Sequence, residues 1–414
     1  MSAVPLSLPL GPLAGRDFRN LYIGQAVSVM GDGLLPVAVA FAAIEVGGGA
    51  GEIGIVLGAH ALSLVVFALA GGVWADRLPR RLVMLAADVL RLAVQGAGAA
   101  LLLSGRAEVW HLAALLAVYG GAEAFFRPAA TALVPHTVKP YQLQQANALL
   151  GLTESAGTVL GPAIGGVLVA LVGAGGAYAF DAASFLVSAL FLVRLQDVGV
   201  PVSRADRRPF LSELAEGFRE VRRQSWLWWT IVVASLWVFL ALAPLFVLGP
   251  LVAENELSGA SSWAAILAAY GVGGVVGGLA ALRSRPQRPL LVASLLFAAE
   301  APLPALLAVA PPTAVIAAAA FLGGVSSGVF EAVWNTTLQE RVPDARLARV
   351  SALDWMGSLA LLPVGYALAG PVSEAVGSDA VLWVAASAAV VGAAALALHR
   401  GVRAVRRLPA GEAA

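Results

Sequence analysis

Twelve apolar stretches of roughly 20 residues, separated by short charged or proline-rich intervals, constrain this chain more than anything else in it. A stretch of that length crosses the hydrocarbon of a bilayer as one α-helix. Lipid offers no partner for a free backbone N–H or C=O, and a helix satisfies both internally. The stretches are Leu21–Ile44, Ile53–Ala75, Leu82–Leu103, Val109–Ala132, Gln144–Val172 and Tyr178–Val193, then Leu227–Val252, Trp263–Leu282, Leu290–Val309, Ala314–Leu338, Val350–Gly370 and Ala380–Leu398. A membrane β-barrel would show alternating segments of about ten residues, so the expected class is an all-α membrane protein.

Composition narrows the function classes. Only 12% of the 414 residues are charged and 59% are hydrophobic, whereas soluble domains carry roughly a quarter charged residues. The 45 glycines and 23 prolines suit membrane helices, whose neighbours re-satisfy freed backbone groups. No cysteine is present, which excludes disulfides, thiolate catalysis and thiolate metal sites. His60, His111, His136 and His399 show no ligand spacing, so no metal or other cofactor is expected. The formal net charge of +1, with arginines scattered between apolar runs, argues against a nucleic-acid partner. Met1 to Gly15 lacks a basic residue before its Leu/Pro stretch, so a cleaved signal is not expected.

Basic residues in short loops stay on the cytoplasmic side of a membrane. Arg16/Arg19, Arg77/Arg80/Arg81, Lys139, Arg204–Arg223, Arg283/Arg285/Arg288, Arg341/Arg346/Arg349 and Arg400–Arg407 all fall in alternate loops, with only Arg106 opposing. Both termini are therefore expected in the cytoplasm, with the chain in the inner membrane. The hydrophilic interval from Gln196 to Ser225 carries Phe210, Leu214, Phe218 and Val221 at helical spacing and reads as an amphipathic surface helix. It divides the chain into residues 1–195, 196–225 and 226–414.

The halves resemble each other. Gly71–Arg77 lies opposite Gly277–Arg283, and Glu123 to Pro135 lies opposite Glu331 to Pro343. Gly161–Gly166 likewise lies opposite Gly365–Gly370, as parallel internal repeats require. After the second span, Gly72-x-x-Ala75-Asp76-Arg77-x-x-Arg80-Arg81 resembles the loop signature of the major facilitator superfamily, with Pro79 where a glycine is usual. Gly157-x-x-x-Gly161-Pro162-x-x-Gly165-Gly166 on the fifth span resembles the signature of that family's exporter branches. Gly24 to Asp32 is similar to the siderophore-exporter and macrolide-efflux branch.

The resemblance implies a major facilitator fold, with two pseudo-symmetric six-helix bundles and no enzymatic activity. It also implies alternating access, with a drug, macrolide or siderophore-like molecule exported against entering protons. A monomer is expected, with the bilayer, the substrate and protons as its partners. Asp76 would latch the bundles through Arg77, Arg80 and Arg81, with Asp88 and Arg91 supporting the latch. The glycine face of the fifth span would meet Gly273, Gly274, Gly277 and Gly278 of the eighth and seal one side.

Ionisable residues inside the membrane are costly and mark function. Asp32 has small neighbours that admit water and is the first expected proton carrier. Glu331, with no basic residue within a helical turn, is the second, followed by Glu154 and Asp354. Glu123 and Arg127, four apart, are expected to pair. With Gln25, Phe126, Trp237, Trp334, Asn335 and Trp355 they are expected to line a substrate cavity. Asp181 reads as a helix cap. A lysophospholipid flippase of the same fold and a non-transporting membrane sensor remain the alternatives.

Overall fold

The structure is a computed structural model and describes residues 11–75, 78–195, 218–284 and 286–407. Asp76 and Arg77, and residues 196–217 of the amphipathic interval, lie outside the described residues. Among the described residues all regular structure is helical, and 11 helical segments are long and apolar enough to cross a membrane. The longest, Pro140–Val193, spans 54 residues and contains a break at Gly173, so it supplies two crossings. The chain divides into two compact units, one of Met1–Gly47 with Ala59–Ser203 and one of Gly48–Gly58 with Arg204–Ala414.

The first unit is built from α1 (Arg16–Glu45), α2 (Ala50–Ala75, from Ala59 onward), α3 (Arg80–Leu103), α4 (Val109–Leu133) and α5 (Leu143–Val193). The join within α5 has a physical cause. Gly173 adopts φ 73, ψ 173, a region essentially closed to residues with a Cβ. The Glu45 carboxylate at the end of α1 accepts a 2.7 Å hydrogen bond from Ala174 N–H, satisfying a donor where the helix restarts. Gly173→Ala is expected to destabilise the protein by about 1–3 kcal/mol. Gly96→Ala, where a Cβ meets nothing within 4 Å, should not. Thermal unfolding in detergent, followed by loss of the monodisperse elution peak, measures both.

Loop arginines hold the opposite helix ends. Arg80 Nη1 donates to Ala132 O at 2.8 Å, and Arg81 donates to Leu192 O at 2.9 Å and Val193 O at 2.7 Å. These carbonyls belong to the last turns of α4 and α5, where a cation also complements the helix dipole. Exposed apolar positions are as clear: Leu152, Leu160, Val167 and Leu171 lie on one exposed side of α5. In water that stripe would be an aggregation surface, and in a bilayer it is ordinary.

Gly157, Gly161 and Gly165 are all buried and face α1, where Cβ atoms would meet Val29, Gly33 and Leu34. Pro162 lies inside the same helix. The close approach that these glycines permit is thus made to α1, within the same unit.

The second unit contains the start of α2, then α6 (Ser225–Trp237), α7 (Ala243–Glu256), α8 (Ala260–Arg283), α9 (Pro289–Leu296), α10 (Pro302–Leu307) and α11 (Thr313–Arg341). It ends with α12 (Asp344–Leu359), α13 (Leu362–Val376), α14 (Ser378–Leu398) and the short α15 (Arg400–Ala404). Three spans expected as continuous helices are interrupted. A π turn at Val238–Leu242 precedes Pro244, and a 3₁₀ turn at Phe297–Glu300 precedes Pro302. The third break falls after Leu359, just before Pro363. Each proline lacks the N–H that would continue the ladder, so the backbone re-pairs at a different spacing. The glycines of α8 are used inside this unit: Gly273 faces the backbone of Phe321, and Gly277 that of Val325, on α11.

Candidate functional site

The first unit has an open cavity of about 660 Å³ between α1, α3, α4 and α5. Asp32 reaches it from α1, where Gly31 and Gly33 let neighbouring elements approach closely. A Cβ on Gly33 would lie 2.5 Å from the carbonyl oxygen of Gly157. The Asp32 side chain keeps 39% exposure, and its Oδ1 accepts a short hydrogen bond from the Tyr119 hydroxyl.

Arg91 of α3 organises the floor. Its guanidinium is 1% exposed and lies 4.3 Å from the ring centres of both Phe126 and Phe185, so aromatic faces replace water around it. Nη2 donates to Asp88 Oδ1 at 2.6 Å, and Asp88 Oδ2 in turn accepts from Ser188 at 2.6 Å. Nη1 stands 3.7 Å from Asp32 Oδ1. One cation therefore holds a fully buried carboxylate tightly and a cavity-facing one loosely.

A second group closes the wall. Glu123 of α4 accepts from Arg127 Nε at 2.9 Å and pairs with Arg127 Nη2 at 2.7 Å. Its other oxygen lies 3.0 Å from His60 Nε2 of α2. Both Glu123 oxygens are thus engaged, whereas Asp32 touches no cation at hydrogen-bond distance. Gln25, Phe126 and Arg127, expected in a cavity from the sequence, line this one together with Glu154 and Gly157, in a wall that mixes polar groups with apolar carbon.

Residues 21–354 match the Major Facilitator Superfamily. The chain belongs to that superfamily. It is 29% identical over 392 residues to the multidrug efflux pump Tap of Mycolicibacterium fortuitum, covering 89% of this chain and 91% of that one. It is 24% identical over 370 residues to macrolide efflux protein A of Streptococcus pyogenes, covering 87% and 90%. Among solved structures, the nucleoside transporter NupG superposes with a TM-score of 0.73 at 14% identity, covering 92% of this chain and 98% of that one. A bacterial homologue of the lysosomal transporter Spinster gives 0.72 at 16%, covering 93% and 96%. Those two likenesses establish the fold of a multi-pass membrane protein and nothing finer.

Within this superfamily member, the remaining expected residues are distributed unevenly. Asp88 and Arg91 were expected beside the loop signature, and the structure instead buries them beneath Asp32. Asp181 was expected to cap a helix, yet it lies inside the helix beyond Gly173 and is fully buried. Gly72 lies in the last turn of α2. Gly166 is buried on α5 with the other glycines of the motif.

In the second unit, Glu331 and Asn335 are exposed on α11, while Trp334 between them is packed in the core against Trp226 and Phe330. Trp334 is buried, and its Nε1 donates to Asp354 at 2.8 Å. Trp237 packs edge-on against Phe297, and Trp355 is exposed on α12.

Sequence reasoning missed His60 and Tyr119. His60 had been weighed only as a metal ligand, and Tyr119 not at all. The available signal was a lone polar ring inside an apolar span, next to Gly120 in the case of Tyr119. A Cβ on Gly120 would meet the His60 ring at 3.0 Å, which is how α2 and α4 come close enough to pair.

Proposed function

We propose that this protein exports an amphipathic or hydrophobic small molecule of the drug, macrolide or siderophore kind by proton antiport with alternating access. It would work as a monomer in the inner membrane with both termini cytoplasmic. The observation that carries the reading is Asp32, a half-open carboxylate at the cavity, 3.7 Å from a buried guanidinium that Asp88 already holds. Such a group exchanges a proton with cavity water without breaking a tight ion pair. Protonation would loosen its hold on Arg91 and Tyr119 and bias one arrangement of the helices over another. The efflux-pump names of the two relatives favour export, and the arginine alternation favours cytoplasmic termini. The apolar part of the cavity lining suits a substrate with little charge.

Glu331, Glu154 and Asp354 are the further candidates for carrying protons. Arg80 and Arg81 belong to the proposed gate through the helix ends they hold. The decisive experiment is efflux from inverted vesicles with a panel of dyes, macrolides and siderophores, with the proton gradient collapsed as control. Asp32→Asn is expected to lower gradient-driven efflux by about tenfold or more, and Glu331→Gln by less. Unchanged efflux in both would remove the coupling assignment. Lysophospholipid movement in proteoliposomes without drug efflux would favour the flippase.

A further inference from the structure

The coupling scheme above leaves a buried acid of the first unit unused. Asp181, on the part of α5 beyond Gly173, is 0% exposed and has no ion pair among the described residues. Gln95 of α3 donates its side-chain amide to Asp181 Oδ2, and Ser184 Oγ lies 3.3 Å from Oδ1. From α1 the facing residue is Gly31, where a Cβ would collide with Asp181 Oδ1 and Ser184 Oγ. The glycine before Asp32 therefore makes room for a second carboxyl directly behind it.

Two more polar atoms in this place have no partner. They are Gln95 Oε1 and the hydroxyl of Tyr178, one turn before Asp181, and both residues are fully buried. Orphaned groups at such depth are rare and call for an explanation.

A count of charge supplies one. Gln95 from α3 and Ser184 from the same helix bond to Asp181, Gly31 faces it from α1, and next to Gly31 stands Asp32, which meets Tyr119 from α4 and Arg91, itself held by Asp88, from α3. Glu123 is balanced separately by Arg127 and His60. With Asp88 already holding Arg91, an ionised Asp181 at 0% exposure is a buried charge without an ion pair among the described residues, which buried surroundings penalise strongly. A proton on Asp181 removes that charge, whereas Asp32 keeps 39% exposure and can be solvated from the cavity.

We propose that Asp181 is a second proton-binding site of this unit, set behind Asp32 and served by Gln95. The step balances as hydronium plus the ionised Asp181 carboxylate giving the carboxyl group and water. Gln95 suits both states, because its N–H₂ donates to the ionised carboxylate. After a half-turn of the amide, its Oε1 accepts from the carboxyl O–H. An amide N–H aimed at the carboxylate disfavours a metal cation in the same space, because a cation needs oxygen donors. The part Asp181 plays in transport rests on the proton-antiport reading, whereas its binding of a proton does not.

Infrared difference spectra of the full-length protein in lipid, between acid and alkaline pH, test this by the carbonyl band of protonated carboxyl groups. Among the carboxyl components of the wild-type spectrum, Asp181→Asn is expected to remove one and Asp32→Asn a different one. Asp181→Glu, which keeps the carboxyl if the amide variant fails to fold, should shift its component rather than abolish it. A spectrum unaltered by either Asp181 variant overturns the proposal, as does a component displaced by sodium ions at constant pH. In vesicles, Asp181→Asn is expected to lower gradient-driven efflux by about tenfold. Loss of the infrared component with normal efflux would keep the proton site and count against the antiport reading.

Discussion

Replacing Arg91 with methionine is expected to destabilise the protein by about 3–5 kcal/mol, the largest effect of any single side chain in the first unit. Arg91 is 1% exposed and Asp88 is 0% exposed, 2.6 Å away. Methionine fills much of the same volume, so the loss would come from charge rather than from a cavity. Asp88 would be left ionised in an apolar interior with only Ser188 as donor, and Asp32 would lose its nearest cation. The control is the pair changed together. Asp88→Asn with Arg91→Met leaves no buried charge at that position and is expected to recover most of the stability lost in Arg91→Met alone. Thermal unfolding of the three variants and wild type in detergent gives the cycle. An Arg91→Met variant within about 1 kcal/mol of wild type would show that water reaches this pair and that the floor of the cavity is not dry.

The same cluster shows what the sequence made legible. The spans were readable because the bilayer sets helix length, and a run of roughly 20 apolar residues has few other folds open to it. Where the reading lost detail was inside spans: Pro244, Pro302 and Pro363 were visible, but the turn type each would impose depends on neighbouring helices. Pairs on one helix were equally visible, since Glu123/Arg127 and Asp88/Arg91 stand four and three residues apart.

Depth was not visible. Nothing local to Asp88 and Arg91 says that α1 and α5 cover them, so on sequence alone they read as helix residues supporting the latch in the nearby loop. Asp181 was misread for the same reason. Its partners Gln95 and Gly31 are distant in sequence, and no periodicity links a carboxyl to an amide 86 residues away. The glycines of α5 carried a correct message about close approach and an incomplete one about the partner, because a stripe of small residues states how near a helix comes but not which one.

That partner makes the second large prediction. Gly161→Ala adds one methyl group, and its Cβ would sit 2.5 Å from Gly33 Cα and 2.8 Å from the Gly33 carbonyl oxygen. Those are backbone atoms and cannot swing away, so α1 and α5 would have to separate along the contact that also includes Gly157 with Val29 and Gly165 with Leu34. Overpacking of this kind costs about 1–3 kcal/mol and occasionally more in well-packed cores. The upper end is expected here, since both sides of the clash are main chain. The alanine's better helix propensity, worth about 1 kcal/mol, offsets only part of it. Gly278→Ala on α8, where a Cβ meets nothing within 4 Å, gains the same propensity without the clash and should be neutral or slightly stabilising. The comparison separates helix propensity from helix approach. A Gly161→Ala protein as stable as Gly278→Ala would mean that α1 is free to move off α5, and the tight contact beside Asp32 would then be one state of a moving pair rather than a fixed wall.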